Sequence, residues 1–371
     1  MFAPTAYAER ITAIASVGLE EGIRTWLMLL ADVLSPRDQP TKEVVALACR
    51  KVANWAEERS FPRTAIWYAQ AAALSCAENA EHAFAVAVAC RKNSEYNRAD
   101  AWYRRAIGLA RRKHDAFTYT RAYMGLGSLF IKRHEHQKAK QALERAYRTA
   151  RRAGIRELRA EALHDLFMVA AETHQVAEAE VYAGKAHRAY HRTHANRVTL
   201  AHDVAAFWVL QGHYGRALPV LEAVTKVLSR PASQLFALSN LARAAGATGR
   251  VDVFARAWVE TWQIIDHQPE LDCVTSSLLR LAYGSASLGD WERVELAAGF
   301  AFDLATKRGE EDVRLEAGTL LKALNMRQVA EPVPSLIAEP QTADAADLLA
   351  EEMVKSLAAC AAGHSDPRMQ C

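Results

Sequence analysis

The chain has 371 residues, of which 51% are hydrophobic and 24% charged, so it can form a sizeable core and is not disordered as a whole. Its 17 Gly and 11 Pro residues exclude a collagen-like or low-complexity protein and are few for a β-sandwich, which favours an all-helical chain. The six cysteines form no Cys-x-x-Cys pair, and no stretch approaches 18 uncharged apolar residues. We therefore expect a cytoplasmic protein without a disulfide framework, a zinc ribbon or a membrane segment.

The charge is unevenly distributed along the chain. The net charge is +3, but residues 91–159 hold 19 basic and 6 acidic residues, a net charge of +13. We define the basic patch as six arginines of this segment, namely Arg104, Arg105, Arg111, Arg112, Arg151 and Arg152. Such a block can attract an acidic partner at long range, although the charges also suit the solvated ends of helices.

Residues 1–40 are predicted to form an N-terminal helix pair. The apolar periodicity indicates helices over 6–16 and 19–34, and the segment from Ser35 to Pro40 then interrupts the pattern. The pair is expected to serve as a cap or as a small bundle that docks a partner.

Residues 41–307 contain an internal repeat of about seven helix pairs. Its template is the segment Tyr123 to Phe130, followed by Ala139, Leu143 and Ala146, with apolar residues three and four positions apart in each half. The corresponding anchors of the second helices recur every 34 to 40 residues, at Ala65, Ala99, Ala139, Ala179, Ala217, Phe254 and Val294. Because one such pair cannot bury its apolar face alone, the pairs are expected to stack into an array.

The repeat resembles the tetratricopeptide repeat, in its subclass with longer units. The resemblance is carried by Tyr123-x-x-Leu-Gly-x-x-Phe130, by Leu288-Gly-Asp-Trp291 and by Ala99-Asp-Ala-Trp-Tyr103. It implies an all-α fold, a right-handed superhelical α-solenoid of stacked antiparallel helix pairs. The longer spacing and the absence of a proline after the second helix depart from the family pattern.

The C-terminal part is predicted to differ from the array. We expect a capping helix within 308–327, an acidic linker with three prolines over 328–342, and a short amphipathic helix and tail over 343–371. The helix carries Leu348, Leu349, Met353 and Leu357 on one side. It could bind a partner, fold back onto a basic groove, or be a mobile solubilising end.

No motif of a catalytic or cofactor site is present. The chain lacks a phosphate-binding Gly-rich loop, a His-Glu-x-x-His helix and a Gly-x-Ser-x-Gly elbow, so we expect no enzymatic activity and no cofactor. His187, His191 and His194 are spaced as though on one face of a second helix. Since no third ligand or supporting shell can be assigned, we expect a polar face and no metal.

Partner binding is instead expected on the concave groove, which the first helices line in such arrays. The predicted groove residues are Phe84, Arg91, Arg121, Met124, Lys132, His164, Asp165, His202, Asp203, Asn240, Arg243, Arg280 and Tyr283. Asn240 can bond a peptide backbone, and Arg243 and Arg280 can hold a carboxylate. In the family's chaperone-binding members a clamp on three successive first helices holds two carboxylates. Here Asn240 and Arg280 fit that spacing, whereas His202, Ala206 and Ser276 do not.

These observations favour a non-catalytic scaffold or adaptor that captures a protein or peptide segment, and charge complementarity favours a segment of acidic character. Two alternatives stay open. One is a ligand- or peptide-responsive regulator that changes its superhelical shape. The other is a nucleic-acid-binding accessory protein that uses the basic residues of 91–159. Binding of a single strand needs aromatic side chains on which bases can stack, and most aromatic residues of this segment lie at packing positions instead.

Overall fold

The computed structural model describes residues 5–35, 39–191, 194–324 and 343–364. Within these residues the regular elements are eighteen α-helices and one short 3-10 turn at Asp32–Leu34. The helices are α1 Thr5–Ser16, α2 Glu21–Ala31, α3 Lys42–Glu58, α4 Pro62–Ser75, α5 Ala80–Lys92, α6 Tyr96–Arg112, α7 Ala116–Lys132, α8 His136–Arg152, α9 Arg156–Glu172, α10 Val176–Ala189, α11 Asn196–Leu210, α12 Tyr214–Thr225, α13 Pro231–Ala247, α14 Val251–His267, α15 Val274–Ser287, α16 Trp291–Arg308, α17 Glu311–Leu324 and α18 Ala343–His364. The all-helical repeat architecture predicted from the sequence is confirmed. None of these helices is both long and apolar enough to cross a membrane.

Contacts divide the chain into two compact units, residues 1–169 and residues 170–371. The first unit contains the helix pairs α1/α2, α3/α4, α5/α6 and α7/α8, and each pair after the first packs on the one before it. The first helices of neighbouring pairs also meet, as α5 and α7 do. The predicted division into a cap at 1–40, an array at 41–307 and a C-terminal part stays a prediction.

Small residues at the repeat positions explain how closely the helices of the first unit pack against each other. Ala99 and Ala139 are fully buried where second helices meet first helices. A side chain on Gly127 would collide with Leu143, and one on Gly125 would collide with the ring of Tyr103. Tyr103, which is also fully buried, therefore fills the space that the glycine leaves between neighbouring pairs.

The second unit repeats the arrangement with α11/α12, α13/α14, α15/α16 and the additional helix α17. The first helices α11, α13, α15 and α17 lie side by side, and α13 and α15 pack over most of their length. Gly246 and Gly284 allow this, because a Cβ built on Gly246 would lie 2.1 Å from the carbonyl oxygen of Gly284. Such an approach of two backbones requires glycine.

The first helices end with a residue in the left-handed conformation. Gly212, Gly249 and Gly289 occupy this position with φ of 78°, 70° and 72°, as expected for residues that stop a helix. In the first unit the same position is filled without glycine, by Ser94 at φ 58° and His134 at φ 58°. Ser60 after α3 and His174 after α9 have the same conformation, so these repeats carry local backbone strain that the repeats with Gly212, Gly249 and Gly289 avoid.

The C-terminal helix α18 is docked within the second unit, on α12 and to a smaller extent on α10. Both are second helices of their pairs, so α18 does not lie on the face formed by the first helices. The expectations of a mobile end and of a helix folded onto a basic groove were therefore wrong, because the apolar stripe of α18 is covered by these two second helices. The predicted linker at 328–342 lies outside the described residues.

Candidate functional site

The most distinctive polar cluster of the second unit lies on α13 and α15. The guanidinium of Arg243 on α13 lies 4.8 Å from the ring centroid of Tyr283 on α15. In return, the guanidinium of Arg280 on α15 lies 4.3 Å from the ring centroid of Phe236 on α13. Each helix thus supplies a cation that stacks on an aromatic side chain of the other, a geometry that stabilises desolvated arginine. We call these four residues the arginine–aromatic cluster.

Neither arginine forms an ion pair within the described residues, although the carboxylate of Glu316 acts on Arg280 from a greater distance. Arg243 is 6% exposed, yet no carboxylate of the described ranges lies within 4 Å of its guanidinium, and its Nε has no hydrogen-bond partner there. Arg280 donates from Nη1 to the carbonyl oxygen of Ser276, 2.8 Å away, and it too forms no ion pair within the described part of the chain. Burial, together with the nearby charge of Arg243, lowers the pKa of Arg280 to about 10, while the carboxylate of Glu316 acts in the opposite direction. Two neighbouring cations, of which Arg243 is buried and Arg280 is partly exposed, attract an anion.

Neighbouring groups complete the polar lining. Asn240 is 1% exposed and its Nδ2 donates to the carbonyl oxygen of Phe236, 3.0 Å away. On α11 the ring of His202 packs edge-on against Phe236 with centroids 5.3 Å apart, and its Nδ1 lies 3.1 Å from Oδ1 of Asp203. Tyr283 donates its hydroxyl to Glu316 on α17, at 2.8 Å. Sequence reasoning missed Glu316, because its place beside Tyr283 depends on how α17 stacks on α15.

Several predicted groove residues are more deeply buried than expected. The expectation of exposure was wrong for Phe84, His202, Asn240, Arg243 and Tyr283, each of which is buried. In the second unit the reason is the close packing of α13 between α11 and α15, which covers positions that a wider spacing would leave open. The two glycines that set this spacing, Gly246 and Gly284, lie 38 residues apart, one repeat, and that recurrence was the signal available in the sequence.

The first unit presents a different polar face on α5 and α7. The guanidinium of Arg121 lies 4.3 Å from the ring centroid of Phe84, and Nε of Arg91 donates to the hydroxyl of Tyr103 at 3.2 Å. Phe84 and Arg121 border a pocket of about 170 Å³ whose lining also includes Glu57 and Glu81. Because carboxylates share this pocket with its arginines, it is less suited to an anion than the arginine–aromatic cluster.

The remaining predicted groove residues of the first unit lie on α7 and α9. Met124 is partly exposed and Lys132 is exposed at the end of α7. On α9 burial raises the pKa of Asp165 to about 6, although His164 and Arg91 act in the opposite direction. A carboxyl group with such a pKa is half-charged near pH 6.

The basic patch lies on the second helices α6 and α8, and all six of its arginines are exposed. Some of their charge is engaged locally. Arg104 pairs with Asp100 at 2.9 Å, Arg112 pairs with Glu78 at 3.2 Å, and Arg105 lies over the ring of Trp102. The patch therefore occupies helices other than those that carry the predicted groove residues.

The three histidines predicted to share one helix do not do so. Helix α10 ends at Ala189, so His191 and His194 follow it and the spacing of a helical face does not apply. His187 is buried, and its Nε2 lies 2.9 Å from a guanidinium nitrogen of Arg197, while the ring of His194 stacks on Tyr190. Within the described residues no group of three His, Cys, Asp or Glu side chains could hold a metal ion.

Comparison with solved structures places the fold. The apo form of RapI is similar over 87% of this chain and 93% of its own length, with a TM-score of 0.52 and 12% sequence identity. PilF of Pseudomonas aeruginosa gives a TM-score of 0.49 at 18% identity, over 62% of this chain and 95% of its own length. The chain has the tetratricopeptide-repeat fold. No family model matches the sequence, and no curated protein does either.

The tetratricopeptide-repeat fold explains on which face of the second unit the polar cluster lies. In this fold the first helices of successive pairs form one continuous face, and here that face in the second unit carries the cluster on α13 and α15. The repeat geometry brings together Asn240, Arg243, Arg280 and Tyr283, which lie on two helices one repeat apart in sequence. It places the basic patch on the second helices instead.

Proposed function

We propose that this protein is a non-catalytic scaffold that captures an acidic segment of a partner protein or peptide at the arginine–aromatic cluster of α13 and α15. The observation that carries the proposal is the pair of neighbouring arginines, Arg243 and Arg280, which form no ion pair within the described residues. A desolvated guanidinium without a counter-ion is costly, and a carboxylate that pairs with it removes that cost.

The cluster is also rigid enough to select its ligand. Each guanidinium lies over an aromatic ring of the neighbouring helix, and this contact limits its freedom to move, which favours two-point contact with a carboxylate. Asn240 lies on α13 one turn from Arg243, and its buried amide donates to the carbonyl oxygen of Phe236, which helps to hold this part of α13 in place. A segment with one or two carboxylates therefore fits these groups best.

The experiment measures binding of a fluorescein-labelled hexaglutamate peptide to the full chain by fluorescence anisotropy. The peptide should bind the natural chain and lose about tenfold or more of its affinity for the R243M/R280M variant, because two charge-assisted contacts disappear. A hexaglutamine peptide tests whether the carboxylates are recognised, and we expect it to bind weakly to both chains.

The matched control is R256Q on α14, which removes an arginine with an exposed side chain from the neighbouring helix. This variant should bind hexaglutamate like the natural chain. Equal affinity of the R243M/R280M variant and the natural chain would reject the cluster as the binding site. Equal affinity for hexaglutamine and hexaglutamate would reject an acidic ligand.

A further inference from the structure

Helix α18 presents one apolar face to the rest of the second unit. Ala346, Leu349, Ala350, Met353 and Leu357 are all buried, and Met353 has no exposed surface. Leu348, one position away from this stripe, is 61% exposed. The buried positions follow each other at spacings of three and four residues, so α18 is held along a single side, like a helical ligand in a groove.

The surface beneath α18 is formed by α12 and α10, with α18 packed mainly on α12. These helices belong to pairs in the middle of the chain, whereas the helix that precedes α18 in sequence is α17. Eighteen residues, 325–342, separate the two helices in sequence, and they include Pro332, Pro334 and Pro340. Helix α18 is therefore a separate element that is tethered to the site it occupies.

A charged contact marks one end of the docked helix. Oδ1 of Asp347 accepts a hydrogen bond from Nε of Arg216 on α12, at 2.6 Å. Arg216 is held from below by Glu180, whose carboxylate lies 3.3 Å from Nη1 and also accepts a hydrogen bond from Nε1 of Trp208 at 3.1 Å. Since Glu180 pairs with Arg216 without help from α18, the receiving side keeps its arginine in place when α18 leaves.

The part of the surface on α10 includes His187, with Arg188 and Arg197 close to it. His187 on α10 is buried, and burial together with Arg197 and Arg188 lowers its pKa to about 4, while the backbone of Glu352 on α18 acts in the opposite direction. The imidazole is thus neutral at pH 7. The surface consequently combines the apolar contacts of α18 with Arg216, the cation that pairs with Asp347.

We propose that the face formed by α10 and α12 is a docking site for an amphipathic helix of a partner protein, and that α18 is the chain's own competing occupant. The pattern of α18 defines the chemistry of the partner helix. An acidic residue pairs with Arg216, and large apolar residues follow at positions +2, +6 and +10, as Leu349, Met353 and Leu357 follow Asp347. This site uses second helices and is independent of the arginine–aromatic cluster on the first helices.

The test releases α18 from its site in the full chain by mutation and then adds a separate peptide with the sequence of α18. The L349K/M353K variant places two cations in the apolar face of α18 and should release it. A labelled peptide of residues 343–364 with the natural sequence should then bind this variant. It should bind the natural chain at least about tenfold more weakly, because tethered α18 competes at a millimolar effective concentration.

Two controls tie this binding to the contacts of α18. L348K changes a leucine of the same helix that lies outside the interface, so this variant should bind the peptide as weakly as the natural chain does. A peptide with D347K and M353K should not bind the vacated chain. If the vacated chain unfolds cooperatively yet binds no peptide, or if the natural and vacated chains bind it equally, the proposal is wrong.

Hydrogen exchange of the natural chain provides a second measurement that does not depend on the variant's folding. If α18 leaves the site as a unit, its amides should exchange together and at least about tenfold faster than the amides of α12. Equal protection of α18 and α12 would show that α18 is a permanent part of the unit, and would overturn the proposal.

Discussion

Gly246 and Gly284 bring the backbones of α13 and α15 into direct contact, since a Cβ on Gly246 would lie 2.1 Å from the carbonyl oxygen of Gly284. This approach sets how deeply the side chains between the two helices are buried, among them Arg243 and Asn240. The anion site proposed here thus depends on two residues that carry no functional group.

The first prediction concerns this contact. Gly246→Ala should destabilise the chain by about 2 kcal/mol or more, because the new methyl group meets backbone that cannot move aside. Gly299 lies inside α16 with open space around its Cβ position. Gly299→Ala should therefore stabilise by about 0.5 to 1 kcal/mol through helix propensity. Urea denaturation of both variants measures these changes in stability. The prediction is wrong if both variants shift the denaturation midpoint in the same direction by the same amount.

The second prediction separates stability from binding at Arg280. In the ligand-free chain R280M should raise the free energy of unfolding by about 1 kcal/mol, since an apolar side chain replaces a cation for which burial and the charge of Arg243 outweigh the attraction of Glu316. The same variant should bind hexaglutamate more weakly. Thermal unfolding with and without the peptide measures both effects, and a destabilised variant would show that the guanidinium is needed for folding.

The sequence predicted the helix pairs because their packing residues recur, as Ala99 and Ala139 do at equivalent positions. It did not predict that Arg243 is buried, because the distance between neighbouring first helices depends on a backbone contact that periodicity does not report. The apolar stripe of α18 indicated that this face is covered. The helices that cover it are determined by the shape and charge of the surface that α10 and α12 form together. This surface exists only in the folded chain, so the periodicity of the sequence does not show it.

The third prediction concerns Asp165, whose pKa burial raises from the usual 3.8 to about 6. Below pH 3.8 the carboxyl is protonated in the folded and unfolded chains alike. Between pH 3.8 and 6 the unfolded chain loses this proton more readily, so the group's contribution to stability falls as pH rises and stays low above pH 6. Asp165→Asn should therefore stabilise the chain at pH 7.5 by about 2 kcal/mol and have little effect at pH 4.

Urea denaturation at both pH values measures the effect at Asp165. Asp266→Asn, at an exposed position on α14, is the control and should change stability little at either pH. A stabilisation by Asp165→Asn that does not depend on pH would show that ionisation of Asp165 is not its cause.

The fourth prediction uses the left-handed residues at the ends of first helices. Ser94 has φ 58° and is exposed, so Ser94→Gly should stabilise by about 0.5 kcal/mol because glycine adopts this conformation without strain. At the equivalent position of a later repeat, Gly249→Ala should destabilise by about 1 kcal/mol. The two variants should move the denaturation midpoint in opposite directions, and a shift of both in the same direction would count against backbone strain as the cause.

The fifth prediction concerns the basic patch, which acts through long-range attraction if the ligand binds at α13 and α15. Replacement of Arg111, Arg112, Arg151 and Arg152 by Glu changes the net charge from +3 to −5. Stopped-flow binding of hexaglutamate should then show a several-fold slower association at low salt, with the dissociation rate unchanged. The difference in association should disappear at about 0.5 M salt because the charges are screened. R243M/R280M should instead speed dissociation, since it removes contacts made in the complex. If the charge reversal speeds dissociation as well, long-range attraction is not the cause, and the prediction is wrong.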